Sequence, residues 1–261
     1  METAALSYID LGLAGILVFV SMLLSWWLHL GLQRDMLWGA IRSFVQLALV
    51  GYVLAFIFRS AAWYWVALAL VIMLGVAIHT ARGRIVEPLL GKTWIVGIAI
   101  ASGSLVILLF ILIAVLRIHP WYDPRYVLPL AGMIVGNSMN AATLAIGRFT
   151  GAIRQRRSEI ETALALGANA GQAAQQIRRE ALRTAIIPNV NSMLVVGIVS
   201  LPGMMTGQIL AGNDPTQAVR YQIMVMYMIT SAAVITSVVG VMVAVRSAFT
   251  QAHQLRIVEM E

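Results

Sequence analysis

Long apolar runs, separated by short polar joints, set the pattern of this chain. A bilayer core takes about 20 apolar residues per helix. Seven windows meet that requirement, at roughly 7–29, 36–58, 62–80, 93–116, 126–147, 189–211 and 219–245. The pattern predicts an all-α, polytopic membrane protein with seven transmembrane helices. One interval, 148–188, is long and polar, and its Ala, Glu, Gln and Arg recur too regularly for a disordered linker. It predicts two short helices that part at Gly167-Ala168-Asn169-Ala170-Gly171. No second domain or internal repeat stands out, so residues 1–261 read as a single transmembrane domain.

Composition agrees with this picture. Hydrophobic residues make up 60% of the chain and charged ones 11%, which excludes an ordinary water-facing globule. Cysteine is absent, so disulfide, zinc–thiolate and iron–sulfur chemistry are excluded. The net charge of +7 suits basic residues flanking spans better than a nucleic-acid partner. The N-terminal "METAALSYIDLGLAG" has acidic residues and no basic n-region; it is expected to remain as a span rather than be cleaved.

Lys and Arg set the expected orientation. With the N-terminus outside, thirteen of the eighteen fall on the inner face, including seven arginines of the 148–188 loop. Four face outward (Arg59, Arg117, Arg125, Arg220), and Arg42 lies inside a span. That bias places the long loop in the cytoplasm.

Polar or irregular residues within spans mark a candidate pathway, because lipid does not solvate them. Arg42 and Gln46 lie one turn apart and share a helix face. Arg42 equally suits a snorkelling position near the inner interface. Asn137 and Asn140 are three apart and bracket Met139, with Gly132 and Gly136 on the same helix; the asparagines suit either a substrate or another helix. In "SLPGMMTGQILAG", Pro202-Gly203 and Gly207 interrupt an apolar window. Pro202 is expected to break the helix and free the carbonyl near Ile198, and irregular backbone at membrane depth belongs in a wet cavity or under protein. Met204 and Met205 offer soft thioethers, better matched to Cu(I) than to Fe(II), or they fill a helix interface. Gln208 completes the pathway candidates. Asp214-Pro215 is expected to cap the seventh span. No carboxylate or imidazole falls deep in a span, so the spans hold no hard-ligand iron cage.

The cytoplasmic loop carries a second kind of signal. Glu161-x-Ala163-x-x-x-Gly167, with Leu164, Leu166 and Ala168 on a small apolar surface, suits docking to a partner, or an ordinary surface helix. With Ile177 and Pro188, it resembles the "EAA" loop of ABC-transporter permeases, though Arg179-Glu180 replace the usual Leu-Pro. "RSFVQLALVGYVL" (42–54), "LPLAGMIVGNSMNAA" (128–142), "SLPGMMTGQILAG" (200–212) and "NDPTQAVRYQIMV" (213–225) resemble the FetB (YbbM-type) permeases, from residue 34 onward. Plant aluminium-tolerance permeases are similar to that family. The resemblance implies a multi-pass permease of the bacterial inner membrane, exporting a metal cation, iron. It implies coupling helices between spans 5 and 6 and pairing with a second copy and a separate FetA-like ATPase. Glu161, Ala163, Leu164, Leu166, Gly167 and Ala168 would then meet that ATPase.

The energy source is expected to lie in that partner, which would use ATP and Mg, with no cofactor in this subunit. A P-loop needs Gly-x-x-x-x-Gly-Lys-Ser/Thr; Gly91-Lys92-Thr93 has Val86 where the first glycine belongs. The alternatives are an ion-coupled secondary transporter, for which only Arg42 offers an ionisable group, or a transporter of another substrate. An intramembrane enzyme would need a Ser/His/Asp set or HExxH, and neither occurs.

Overall fold

A computed structural model of the protein describes residues 8–60, 62–250 and 252–256. These residues form helices α1 (Tyr8–Trp27), α2 (Gln33–Ser60), α3 (Trp63–Arg84), α4 (Lys92–Phe110), α5 (Pro124–Gln155), α6 (Arg157–Ala165), α7 (Ala170–Ala173), α8 (Gln175–Val195), α9 (Gly203–Leu210) and α10 (Pro215–Ala248). A π-helical turn, Ile111–Val115, extends α4. Among the described residues, five helices are long and apolar enough to cross a membrane: α2, α3, α4 with its π-turn, α5 and α10. The chain divides into two compact units: residues up to 62 with 210–212, and residues 63–209 with 213–261.

The first unit holds a helical hairpin. α1 closes through Leu30 N donating to Ser25 O and His29 N to Trp26 O, with His29 left-handed at φ 52°. That paired pattern terminates a helix without leaving its last carbonyls bare.

Three helices organise the second unit. α4, α5 and α10 meet through alanine, glycine and small hydroxyl residues, which let helix backbones approach where apolar lipid supplies no hydrophobic drive. At Gly103 the approach is closest: a Cβ there would overlap the Thr236 side chain and sit 2.8 Å from the Ala232 carbonyl oxygen. At Gly240 it would sit 3.1 Å from Ala99 Cβ. Ile100, Ile146 and Phe149 fill the space around these crossings and are fully buried. α3 and α8 pack on this trio.

α5 and α10 start alike. Asp123 accepts from Arg125 N (2.9 Å) and Asp214 from Thr216 N (3.1 Å), each followed by proline in the first turn. The caps satisfy amides that a helix start otherwise leaves without partners.

Two expectations from the apolar pattern need correction. The window 189–211 is not one helix interrupted at Pro202. α8 stops at Val195, Gly197 turns left-handed at φ 85°, and Gly197 N donates to Ser200 O in a tight non-helical turn. Pro202 instead stands just before α9 and accepts from Thr206 N at 3.0 Å. The break comes earlier because glycine tolerates the positive φ that ends α8, so Pro202 marks where helix resumes. The second helix of the polar loop is also not short: α8 runs 21 residues, from the loop through Pro188 and into the apolar window.

Gly103→Ala should destabilise the protein by roughly 1–3 kcal/mol, the usual cost of forcing volume into a packed core. Gly75→Ala, where a Cβ would meet nothing within 4 Å, should leave stability unchanged. Thermal unfolding of the detergent-solubilised variants, followed by size exclusion, measures the difference.

Candidate functional site: two cavities and a docking face

α5 is 32 residues long; its first turns border one cavity and its middle, Asn137 to Leu144, borders another. We term the end carrying α6–α8 inner and the opposite end outer. The inner cavity, about 370 Å³, lies between α3, α5 and α8. Asn137, Asn140 and Thr143 reach it from α5, at the i, i+3, i+6 spacing of one helix face. Asn189 and Ser192 reach it from α8, and Arg84 from the end of α3. Arg84 Nη1 donates to Asn140 Oδ1 at 3.4 Å. Asn137 Nδ2 donates to Met133 O, Thr143 to Met139 O and Ser192 to Pro188 O, each one turn back along its own helix. These bonds fix the side chains against the helix surface and leave their oxygens available as acceptors.

The outer cavity, about 490 Å³, lies among α5, α9 and α10. Met204 and Gln208 line it, one turn apart on α9. Gln217, Tyr221 and Met224 face them from α10, with Tyr126 and Pro129 from α5. Asp214 borders it too. Its carboxyl is held below the ordinary range of 3.8 by hydrogen bonds from the Thr216 hydroxyl and backbone amide.

The structure thus separates the pathway candidates. Asn137 and Asn140 line the inner cavity; Met204 and Gln208 line the outer. From Leu130, at the outer cavity, to Asn137 is seven residues of α5, or about 10 Å along a helix. Met139 packs against the apolar core and lines neither cavity. Met205 is half-buried and also lines neither, and Pro202 serves as the residue before α9. Arg42 and Gln46 are exposed on α2, in the first unit. Sequence reasoning missed Arg84, Asn189, Ser192, Tyr126 and Tyr221. Of these, Asn189 and Ser192 carried a signal, since "PNVNS" places three polar side chains where a span begins.

The candidate docking face lies at the inner end. α6 ends when Gly167 turns left-handed at φ 94°; Ala168 N donates to Ala163 O and Gly167 N to Leu164 O, both at 3.0 Å. Asn169 then caps α7, and Gln172 returns a bond to Asn169 N. This tight reversal leaves Leu166 84% exposed at its tip, with Glu161 and Gly167 also exposed. Ala163, Leu164 and Ala168 are half-buried. Arg157 pairs with Glu161 at 2.7 Å, and Arg154 with Glu87 at 2.9 Å. Beneath lies a C-terminal hairpin in which Phe249 bridges Leu255, and His253 Nδ1 accepts from Ala170 N at 3.4 Å. Gly91-Lys92-Thr93 opens α4 rather than following a strand, and Lys92 Nζ donates to Ile85 O at 2.6 Å.

Nothing in either cavity offers a hard metal cage. Among the described residues, no group of three or more His, Asp or Glu is placed to hold an ion.

The family described as "Uncharacterised protein family (UPF0014)" matches residues 8–249. The chain belongs to the UPF0014 family of membrane proteins. It is 40% identical over 253 residues to the UPF0014 membrane protein slr1647 of Synechocystis, covering 96% of each chain. The Arabidopsis thaliana protein ALUMINUM SENSITIVE 3 is 36% identical, over 92% of this chain and 87% of that one. A relative from Escherichia coli, "Probable iron export permease protein FetB", is 35% identical over 97% of this chain and 96% of its own. No solved structure matches. The expected likeness to FetB and to the plant aluminium proteins is therefore present along nearly the whole chain.

One clasp in this region titrates. Arg156 donates to Glu180 at 3.1 Å, tying the end of α5 to α8, and Gln176 donates to the same oxygen. These hydrogen bonds, Arg156's first, hold the Glu180 carboxyl below its ordinary 4.5. A depressed carboxylate stabilises above its unfolded pKa and loses that contribution as pH falls through its folded value. The clasp should therefore persist as pH drops to about 4.5 and release only below it. Hydrogen exchange at the α7–α8 junction should accelerate below that pH in the wild type; Glu180→Gln should exchange faster already at neutral pH and show no such step.

Proposed function

We propose that the chain is the permease subunit of an ABC transporter, that it works as a homodimer with a separate ATPase, and that it exports a metal ion, iron. The observation that carries this reading is the docking face. A two-bond helix terminus presents one bare leucine at the inner end of a bundle, after a short helix with one internal ion pair and before a helix start that the C-terminal hairpin contacts. A rigid apolar knob of this kind suits a groove on a partner that delivers force. Similarity to a protein named as an iron export permease supports the cargo.

The two cavities fit alternating access. One lies at the outer end of α5 and the other at its middle, toward the inner end, and Ala131, Ile134 and Val135 between them are buried, as a transporter needs when only one side is open at a time. On this reading the inner end is cytoplasmic, the N-terminus is outside, and the chain spans the bacterial inner membrane seven times. α1 makes the first span, and α8 with α9 makes the sixth as a broken pair. The break supports a dimer as well. Ile198 is 90% exposed and Val199 78% in the single chain. Non-helical backbone at membrane depth requires cover by protein or a water-filled cavity, and a second copy supplies that cover.

The docking test needs a position other than Gly167, since any L-residue is strained at its positive φ. Leu166 has an ordinary φ of −80°. Leu166→Glu removes an apolar side chain whose burial is worth about 1.5–3 kcal/mol. Co-purification of the ATPase should drop by about tenfold or more, with membrane insertion unchanged; undiminished co-purification would sink the docking assignment.

Topology is tested separately by cysteine labelling. Asn169→Cys should react only from the cytoplasmic side and Asp123→Cys only from outside.

A further inference from the structure

The two cavities differ in charge. The inner one contains the Arg84 guanidinium, three carboxamides and two hydroxyls, and no carboxylate, imidazole or thioether lines it. Among the described residues no carboxylate pairs with Arg84; its partner is the Asn140 amide oxygen. The nearest acid along the chain, Glu87, is taken by Arg154. A bare metal cation in this cavity would meet an uncompensated positive charge and, as ligands, only weak neutral oxygens. An oxyanion would meet the reverse. A guanidinium offers a planar fork of donors that matches a carboxylate. The Asn140 bond holds that fork beside the cavity, and Asn189, from the opposite wall on α8, adds amide donors.

We infer that the inner cavity is a binding site for the carboxylate oxygens of a small anionic solute, held between Arg84 on α3 and Asn189 on α8. This rests on the transport reading above and narrows its cargo: metal reaches the inner cavity inside an anionic oxygen-ligand shell, as a carboxylate chelate. Arg84 serves as the charge anchor and Asn189 as the orienting donor. The outer cavity carries the Asp214 carboxylate as well as the Arg125 guanidinium, beside two tyrosines and two methionines, so its charges balance and it lacks the net positive charge of the inner one. A chelate drawn in at one end is therefore released where its carboxylates find less to hold them.

The test is calorimetric titration of the full chain in nanodiscs of uncharged lipid, with three probes: citrate, ferric citrate and free Fe(II). Citrate or ferric citrate should bind, and Arg84→Gln should weaken that binding by about tenfold or more, the effect of losing a charge-assisted hydrogen bond. Arg82→Gln makes the same charge change two residues away, outside the cavity, and should leave binding unchanged. Asn189→Leu probes the other wall and should weaken binding in the same sense, which keeps the test decisive if Arg84→Gln folds poorly. Tighter binding of ferric citrate than of citrate assigns the site to the chelate; equal binding assigns it to the free acid, and either supports an oxyanion site. Binding of Fe(II) that Arg84→Gln leaves intact or improves, without citrate binding, overturns the proposal. So does citrate binding that Arg84→Gln and Asn189→Leu leave untouched. Failure to assemble with the ATPase would instead refute the transporter reading while leaving these titrations standing.

Discussion

The contact on which the second unit depends is the crossing of α4 and α10 at Gly103. Helix backbones rarely come close enough for a carbonyl oxygen to exclude a methyl group, and here the Ala232 carbonyl does so. In a membrane, burying leucine against leucine gains little, since lipid tails are equally apolar. Association has to come from close packing, and only small residues allow it. Gly103, Ala99 and Gly240 bring α4 and α10 together, and Ile146 of α5 closes over the seam. With this trio fixed, α3 and α8 have a surface to lie on, and the two cavities along α5 acquire walls.

Those cavities are polar in different ways because different elements close them. At the inner cavity α8 passes the middle of α5 near Pro188, a residue that cannot donate a backbone bond, and Asn189 and Ser192 follow on its face toward α5. At the outer end the chain returns through the short α9, and the Asp214 cap brings polar groups beside Met204 and Tyr221. The same broken window feeds both sites, its first half one wall and its second half the other.

Much of this was legible in the sequence, and its limits are physical. Apolar windows gave α2 to α5 and α10, Asp214-Pro215 gave a cap, and Gly167 with Asn169 gave the turn between α6 and α7. The rotational phase of the spans was not legible. In a soluble helix the polar face marks the outside, but a span is apolar toward lipid and toward protein alike, so hydropathy does not say which side Met139 or Met204 presents. Met139 went to the core and Met204 to a cavity for reasons visible only in three dimensions. Pro202 misled in a related way. Proline in an apolar run reads as the agent of a break, yet Gly197 had already ended the helix, and glycine gives no warning of which sign of φ it will take.

The C-terminal hairpin has a mechanical meaning. Phe249 and Leu255 bury their side chains at the foot of α10, while His253 accepts the first amide of α7. The α6–α7 turn is thus strapped to α10 directly, as well as through α8. If a partner docks at Leu166 as proposed, a push there would travel by two parallel struts, one into α8, which ends before Gly197, and one into α10, which is locked to α4. Two struts attached to one lever resist bending between them, so displacement of the turn would be delivered as a tilt of α8 and α10 together.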